Sequence, residues 1–334
     1  MIARSQLKIE TADWQHELRV AFSRPHELLA ALGLDAAAVG LSKQAASDFP
    51  LRVPRPFVAR MRAGDPADPL LRQVLPVVDE TRPRRGFVSD PVGDLAAEAR
   101  PGLLHKYRGR ALLLVTGACA INCRYCFRRA FPYSDSVGTA RLDAAVDALA
   151  GMPEIDEIIL SGGDPLSLRD DRLAALVDRL ATLPHLRRLR VHTRLPVTIP
   201  SRITPALVDW LTGTRLRPVV VLHVNHAQEL DASVATALEP LRRAGVPLLN
   251  QAVLLRGVND DAQALVELST RLFDCGVLPY YLHMLDRVQG AAHFNVPARH
   301  ARALLRTLRQ SLPGYLVPKL VREIAGEASK TPAA

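Results

Sequence analysis

Gly117-Ala-Cys-Ala-Ile-Asn-Cys-Arg-Tyr-Cys-Phe-Arg-Arg129 holds three of the four cysteines of this 334-residue chain, Cys119, Cys123 and Cys126. It follows directly on the apolar run Ala111 to Val115. Such a run reads as a buried strand, so the loop sits at a strand's C-terminal end. Met1 to Glu10 lacks the long apolar segment of a signal peptide, and no apolar run approaches the length of a membrane span. Both point to a cytoplasmic protein with no membrane contact, where clustered thiols stay reduced and bind metal or do redox chemistry.

Outward from the loop, strand-like runs recur at Ala111 to Val115, Glu157 to Leu160, Leu189 to His192, Val219 to Val224, Leu248 to Leu254 and Leu278 to Met284. Amphipathic stretches lie between and after them at Ala140 to Ala150, Asp171 to Thr182, Pro205 to Leu211, Ala232 to Ala244, Ala262 to Phe273 and Ala298 to Ser311. Six strands alternating with six helices predict an α/β fold with a parallel sheet, as a closed or partly open β/α barrel or a doubly wound sheet. In each form ligands sit at the C-terminal strand ends. Gly162, Gly163, Asp164, His192, Arg194, Asn225, His226, Gln251, His283 and Asp286 fall at or near those ends.

Residues 1–100 are rich in proline and carry short helical patterns, at His26 to Leu32 with Ser23 and Pro25 before it, Asp35 to Val39, Ala45 to Phe49, Phe57 to Arg62 and Pro69 to Val78. The expected division is 1–100 as an N-terminal helical accessory segment, 101–312 as the β/α unit, and 313–334 as a C-terminal tail. The tail's apolar stretch Tyr315 to Ile324 is expected to dock across the barrel mouth.

Three cysteines can ligate three irons of a [4Fe–4S] cluster and leave the fourth open. The rival is zinc, which takes four ligands in structural sites, with Cys275 as the remaining thiol. Cys275 precedes Gly276 at the end of a helix, on the opposite rim, and reads as a buried or surface thiol. The net charge of +9 lies almost wholly outside the first hundred residues. It fits an RNA groove or a pocket for anionic cofactors and a carboxylate. With 5% aromatic residues and no RNA-binding signature, the second reading is preferred and nucleic acid is not the expected partner. Lysines are few, namely Lys8, Lys43, Lys106, Lys319 and Lys330.

The Cys-x3-Cys-x2-Cys spacing, with Tyr125 before the last cysteine, resembles the signature of radical S-adenosylmethionine (SAM) enzymes. Ser161 to Leu166, Val191 to Arg194, Asn250 to Asp260 and Pro279 to Tyr281 are similar to segments of lysine 2,3-aminomutases, in the same order. The likeness spans residues 100–332. It implies a partial (β/α)6 barrel closed by the C-terminal tail, a [4Fe–4S] cluster on Cys119, Cys123 and Cys126, SAM on the fourth iron, and pyridoxal 5'-phosphate (PLP) on Lys330. Arg128 matches the family's arginine for the substrate carboxylate. Asp286 matches one of two acids that hold the far ammonium of lysine, and Glu323 stands where the other is usually aspartate. Tyr107 and Arg110 resemble PLP contacts, and Lys106 stands where the family often has arginine. Gln251 resembles a PLP or SAM contact, while Gly162, Gly163, Asp164, His192 and Arg194 resemble SAM contacts; bare strand-end turns and caps would read the same way.

The resemblance implies an isomerase that converts L-lysine to β-lysine by 2,3-amino migration and draws an electron from a donor protein. Glu327-Ala-Ser-Lys-Thr-Pro332, and a chain that stops four residues after Lys330, are similar to the subgroup that supplies (R)-β-lysine to elongation factor P and its ligase. An aminomutase for another amino acid such as glutamate would need a basic pocket floor instead of Asp286 and Glu323. An iron-sulfur regulator that binds RNA would need neither SAM nor PLP.

Overall fold

The computed structural model of the chain describes residues 13–333. Its first part is a set of short helices, Trp14–Arg19, Pro25–Leu32, Lys43–Asp48, Arg55–Val58 and Pro69–Arg72, followed by a 3-10 turn Val78–Thr81. Their apolar faces bury one another: Leu28, Leu29 and Leu32 meet Phe57, Leu70, Leu71 and Val74 in a core of their own. Ile121 belongs to that core and Cys123 packs against it, so the cysteine loop is built on these helices.

Prolines account for two of the departures from the helical expectations. Pro25 takes the first helical position, Arg24 precedes it, and no side chain caps the helix, so Ser23 is not the cap. Residues 36–40 form turns, where a helix over Asp35 to Val39 is expected. The helix from Pro69 is capped by Asp68 and ends at Arg72, short of Pro76, which cannot continue it.

The rest is one ten-stranded sheet in sequence order. The strands are β1 (Glu98–Arg100), β2 (Leu103–Tyr107), β3 (Arg110–Thr116), β4 (Glu157–Gly162), β5 (Arg188–Thr193), β6 (Arg217–Leu222), β7 (Leu248–Leu254), β8 (Leu278–Met284), β9 (Lys319–Arg322) and β10 (Thr331–Pro332). From β3 to β9 all pairs are parallel. The pairs β1–β2, β2–β3 and β9–β10 are antiparallel. The six runs read from sequence are β3 to β8, and the expected helices appear as Thr139–Leu149, Asp170–Thr182, Pro205–Thr212, Ala232–Arg243, Ala262–Asp274 and Ala298–Ser311. Asp170–Thr182 buries Leu173, Leu176, Val177 and Leu180, one stripe at helical spacing, against the sheet. Thr204, Asp231 and Asp261 cap three of the helices through side-chain oxygens.

The ends of the strand order, β1 and β10, do not pair, so this is an open, partial barrel. The tail adds β9 as a seventh parallel strand, then turns back as β10 beside Arg322. That return sets Glu323 and Lys330 at the C-terminal rim. Among the described residues no helix is long and apolar enough to cross a membrane.

Candidate active site

The cysteine loop is fastened from outside. Asn122 N–H donates to Arg52 O at 3.0 Å, and Arg124 N–H to Gln73 O at 2.8 Å. The buried Arg124 side chain turns into the N-terminal helices, where Nε and Nη2 donate to the two oxygens of Glu80 at 2.8 and 2.7 Å. Nη2 also reaches Ala45 O at 2.9 Å, and Arg129 adds a second cation 2.9 Å from Glu80 Oε2. Arg129 is thus structural, and the helical segment from Ala45 to Glu80, to which the sequence assigns no chemistry, shapes the loop.

Burial and the neighbouring thiols push Cys119 well up and Cys126 up to about 11, so both are neutral thiols when no metal lies beside them. Bound iron would ionise them. Tetrahedral zinc gathers its ligands on one ion, whereas a cuboid cluster takes each thiolate on its own iron. Cys275 ends the helix before β8, buried in the main core at the far rim.

The turn after β4 abuts the start of the loop. Gly163 N–H donates to Thr116 O at 2.7 Å and Asp164 N–H to Ala118 O at 2.8 Å. A Cβ on Gly163 would press on the Ala118 and Gly117 carbonyl carbons at 2.7 and 2.8 Å, which is why glycine stands there. Gly162 has φ +126°, and its carbonyl accepts from Tyr133 Oη at 2.7 Å. The Asp164 carboxylate is taken by Thr193 Oγ1, Leu166 N, Arg194 N and Leu195 N at 2.7 to 3.0 Å. It locks β4 to β5, which is the cap reading of this residue.

Arg194 is likewise committed within the protein. Nη1 donates to Cys123 Sγ at 2.7 Å and to Tyr125 Oη at 2.8 Å; Nη2 donates to Gln73 Oε1 at 2.6 Å and Glu229 Oε2 at 2.8 Å. Gln73 and Glu229, which no motif had singled out, tie this arginine to the N-terminal helices. Inside the barrel His192 lies edge-on to His223, ring centroids 5.9 Å apart, and Gln251 Nε2 is 3.0 Å from His223 Nε2. Burial pushes His192 well down and His223 and His283 down to about 3, so all three are neutral. Nε2 of both His192 and His283 is buried with no hydrogen-bond partner among the described residues. Unpartnered imidazole nitrogens facing a lumen are what a polar ligand would satisfy.

At the rim an alternating line of charges joins most of the remaining candidates. Arg128 Nε donates to Asp94 Oδ2 at 2.6 Å, and its Nη1 to Ser161 Oγ at 3.1 Å. Lys106 Nζ lies 2.5 Å from Asp94 Oδ1 and 3.0 Å from Glu323 Oε1. Glu323 Oε2 accepts from Lys330 Nζ at 2.6 Å. Burial opposes the charge on Asp94, yet Arg128 and Lys106 outweigh it and hold the group below the usual carboxylate range. Burial is outweighed at Glu323 too, where Lys330 and Lys106 draw it down to about 2. Burial and the charge of Glu323 push Asp286 the other way, up to about 7. Arg110 lies over the Tyr107 ring at 4.6 Å, and Lys330 Nζ lies 5.8 Å from the centre of the Tyr281 ring. The structure therefore brings Arg128, Asp286, Glu323 and Lys330 to one place. Asp94, like Gln73 and Glu229, is missed by the sequence reading; only a buried arginine's need for a counter-charge could have signalled it.

Residues 113–268 match the Radical SAM superfamily. The L-lysine 2,3-aminomutase of Escherichia coli is 53% identical over 96% of this chain and 94% of that protein. The one from Haemophilus influenzae is 49% identical over 96% of each. The one from Clostridium subterminale is 34% identical over 96% of this chain and 77% of its own length. The chain belongs to the lysine 2,3-aminomutase family of radical SAM enzymes.

Proposed function

We propose that the protein isomerises L-lysine to β-lysine by 2,3-amino migration, with a [4Fe–4S] cluster, SAM and PLP as cofactors. The observation that carries the reading is the rim: Arg128, Asp94, Lys106, Glu323 and Lys330 form one largely enclosed line of alternating charge, with a guanidinium at one end and a carboxylate already holding an alkylammonium at the other. Bound there, the cluster and SAM supply hydrogen-atom abstraction, and PLP supplies an electron sink for the migrating nitrogen.

The protein's own share is to bind, orient and exclude water. Cys119, Cys123 and Cys126 would hold the cluster, and Lys330 would carry PLP, with Tyr107 and Arg110 beside its ring and phosphate. Among the described residues Asp94 takes Arg128 Nε and Ser161 takes Nη1 while Nη2 makes no hydrogen bond, so Nη2 would be the donor offered to the substrate carboxylate. Asp286 and Glu323 would receive the distal ammonium. Asp286 makes no ion pair among the described residues, and an arriving cation would draw its proton away. Two acids at this floor also weigh against glutamate, whose distal carboxylate they would repel.

The residues around Lys330 support the finer reading that the product is (R)-β-lysine for elongation factor P and its ligase. The test is anaerobic reconstitution with iron and sulfide, then SAM, PLP, a reductant and L-lysine, with chiral analysis of the product. β-Lysine with its R enantiomer in excess is expected, and transfer to elongation factor P when the factor and ligase are added. Turnover of another amino acid with none of lysine would overturn the assignment.

A further inference from the structure

Lys106 lies on β2 at one side of the open barrel, and Glu323 follows β9 at the other. Two separate segments meet on its ammonium: the loop before β1, through Asp94 Oδ1 at 2.5 Å and the Val92 carbonyl at 2.8 Å, and the tail, through Glu323 Oε1 at 3.0 Å. The Val92 and Glu323 contacts are aligned hydrogen bonds, and Asp94 Oδ1 is held as an ion pair off the donor direction. The side chain is largely enclosed, 17% exposed, so water screens these contacts weakly.

The oxygens of the two carboxylates divide their work. Asp94 gives Oδ2 to Arg128 and turns Oδ1 to Lys106; Glu323 gives Oε1 to Lys106 and Oε2 to Lys330. One oxygen of each acid is thus an anchor on the same ammonium, and the other faces the site. The Lys330 contact shows that Oε2 accepts an alkylammonium. Once the Lys330 nitrogen is engaged elsewhere, Oε2 is open to the ammonium of a substrate while Oε1 stays on Lys106.

We propose that Lys106 is the positioning residue that sets the length of the substrate site. By holding Asp94 and Glu323 on one ammonium, it fixes the separation between Arg128, which takes the substrate carboxylate, and the glutamate oxygen that takes its distal ammonium. A lysine-length amino acid spans that separation, and a diamino acid one methylene shorter does not. Without Lys106, Glu323 recovers the freedom of its flexible arm and follows a shorter substrate. One methylene in a site of fixed shape is worth about 10- to 200-fold in discrimination. The inference rests on the lysine aminomutase reading above.

Initial rates with L-lysine and L-ornithine test it, in the reconstituted wild-type enzyme and in Lys106→Met, Glu323→Asp and the double variant Lys106→Arg/Glu323→Asp. Lys106→Met is expected to raise the KM for lysine at least tenfold while kcat falls less than threefold. Its lysine-to-ornithine ratio of kcat/KM should fall at least tenfold. Glu323→Asp shortens the acid and should lose preference similarly. The longer guanidinium of the double variant should restore the wild-type ratio to within threefold, a rescue that loss of folding in Lys106→Met alone could not mimic. A ratio within threefold of wild type in Lys106→Met, or no rescue in the double variant, overturns the inference. A wild-type enzyme inert toward lysine would instead sink the aminomutase reading, and this inference with it.

Discussion

Asp286 and Glu323 are two acids in one site driven in opposite directions, to about 7 and about 2. An unfolded aspartate ionises near about 3.9, so between that value and about 7 the folded chain keeps a proton the unfolded chain has lost. The stability owed to Asp286 is therefore full below about pH 4 and is lost as pH rises through about 7. Glu323 has the reverse sign: its contribution is present above the unfolded value and is lost as pH falls toward about 2. In thermal melts of the cofactor-free protein, Asp286→Asn should match wild type at pH 4 and exceed it at pH 8, by on the order of 1–4 kcal/mol. Glu323→Gln should be less stable than wild type at pH 8. Equal melting of Asp286→Asn and wild type at pH 8 would refute the raised ionisation. At this scale sequence legibility follows motif and strand register. Arg128, Asp286 and Lys330 are named through the resemblance to the lysine 2,3-aminomutases, and Asp286 also as an acid just after a strand's C-terminal end. Asp94, Gln73 and Glu229 are not, because each acts through partners far along the chain: Gln73 meets Glu229 at 3.1 Å across 156 residues.

The elements divide in the same way. Strands β3 to β8 could be read directly, because a parallel strand covered on both faces must be a nearly continuous apolar run. β1 is Glu98-Ala-Arg100, short and largely exposed, and β10 is two residues long, so neither carries such a run. β9 contains the buried Leu320 and Val321, but only its pairing with β8 separates it from a docking tail. The short N-terminal helices matter less as a unit of secondary structure than as the frame of the cysteine loop. Arg124→Met removes the bidentate partner of Glu80 and leaves Arg129 as its one cation. A broken buried pair costs about 3 kcal/mol, and the loop loses its grip on Ala45 and Glu80. Reconstituted Arg124→Met is expected to unfold at lower denaturant concentration and to bind less than half the wild-type iron. Full iron content would show that the helices stabilise the fold without shaping the loop.

Over the whole molecule, the sheet separates its two ends by function. The C-terminal ends of β3 to β9 lead into the cysteine loop, the Gly162 to Asp164 turn and the charge line from Arg128 to Lys330. The N-terminal ends carry packing. Cys275 tests that separation, because it is the remaining thiol and stands just before β8 begins, at the end opposite Cys119. Burial pushes its thiol up, and its surroundings in the core are apolar, the setting of a structural cysteine rather than a reactive one. A fourth ligand from that rim would have to pass through the core strands. Cys275→Ser is therefore expected to leave iron and sulfide content and the cluster's absorbance unchanged. Any destabilisation should stay on the order of 1–2 kcal/mol, from placing a hydroxyl in an apolar site. Each of Cys119→Ser, Cys123→Ser and Cys126→Ser should abolish cluster binding. Iron loss in Cys275→Ser equal to that in the loop variants would mean that the loop is completed by a fourth thiolate, with no iron left open for SAM.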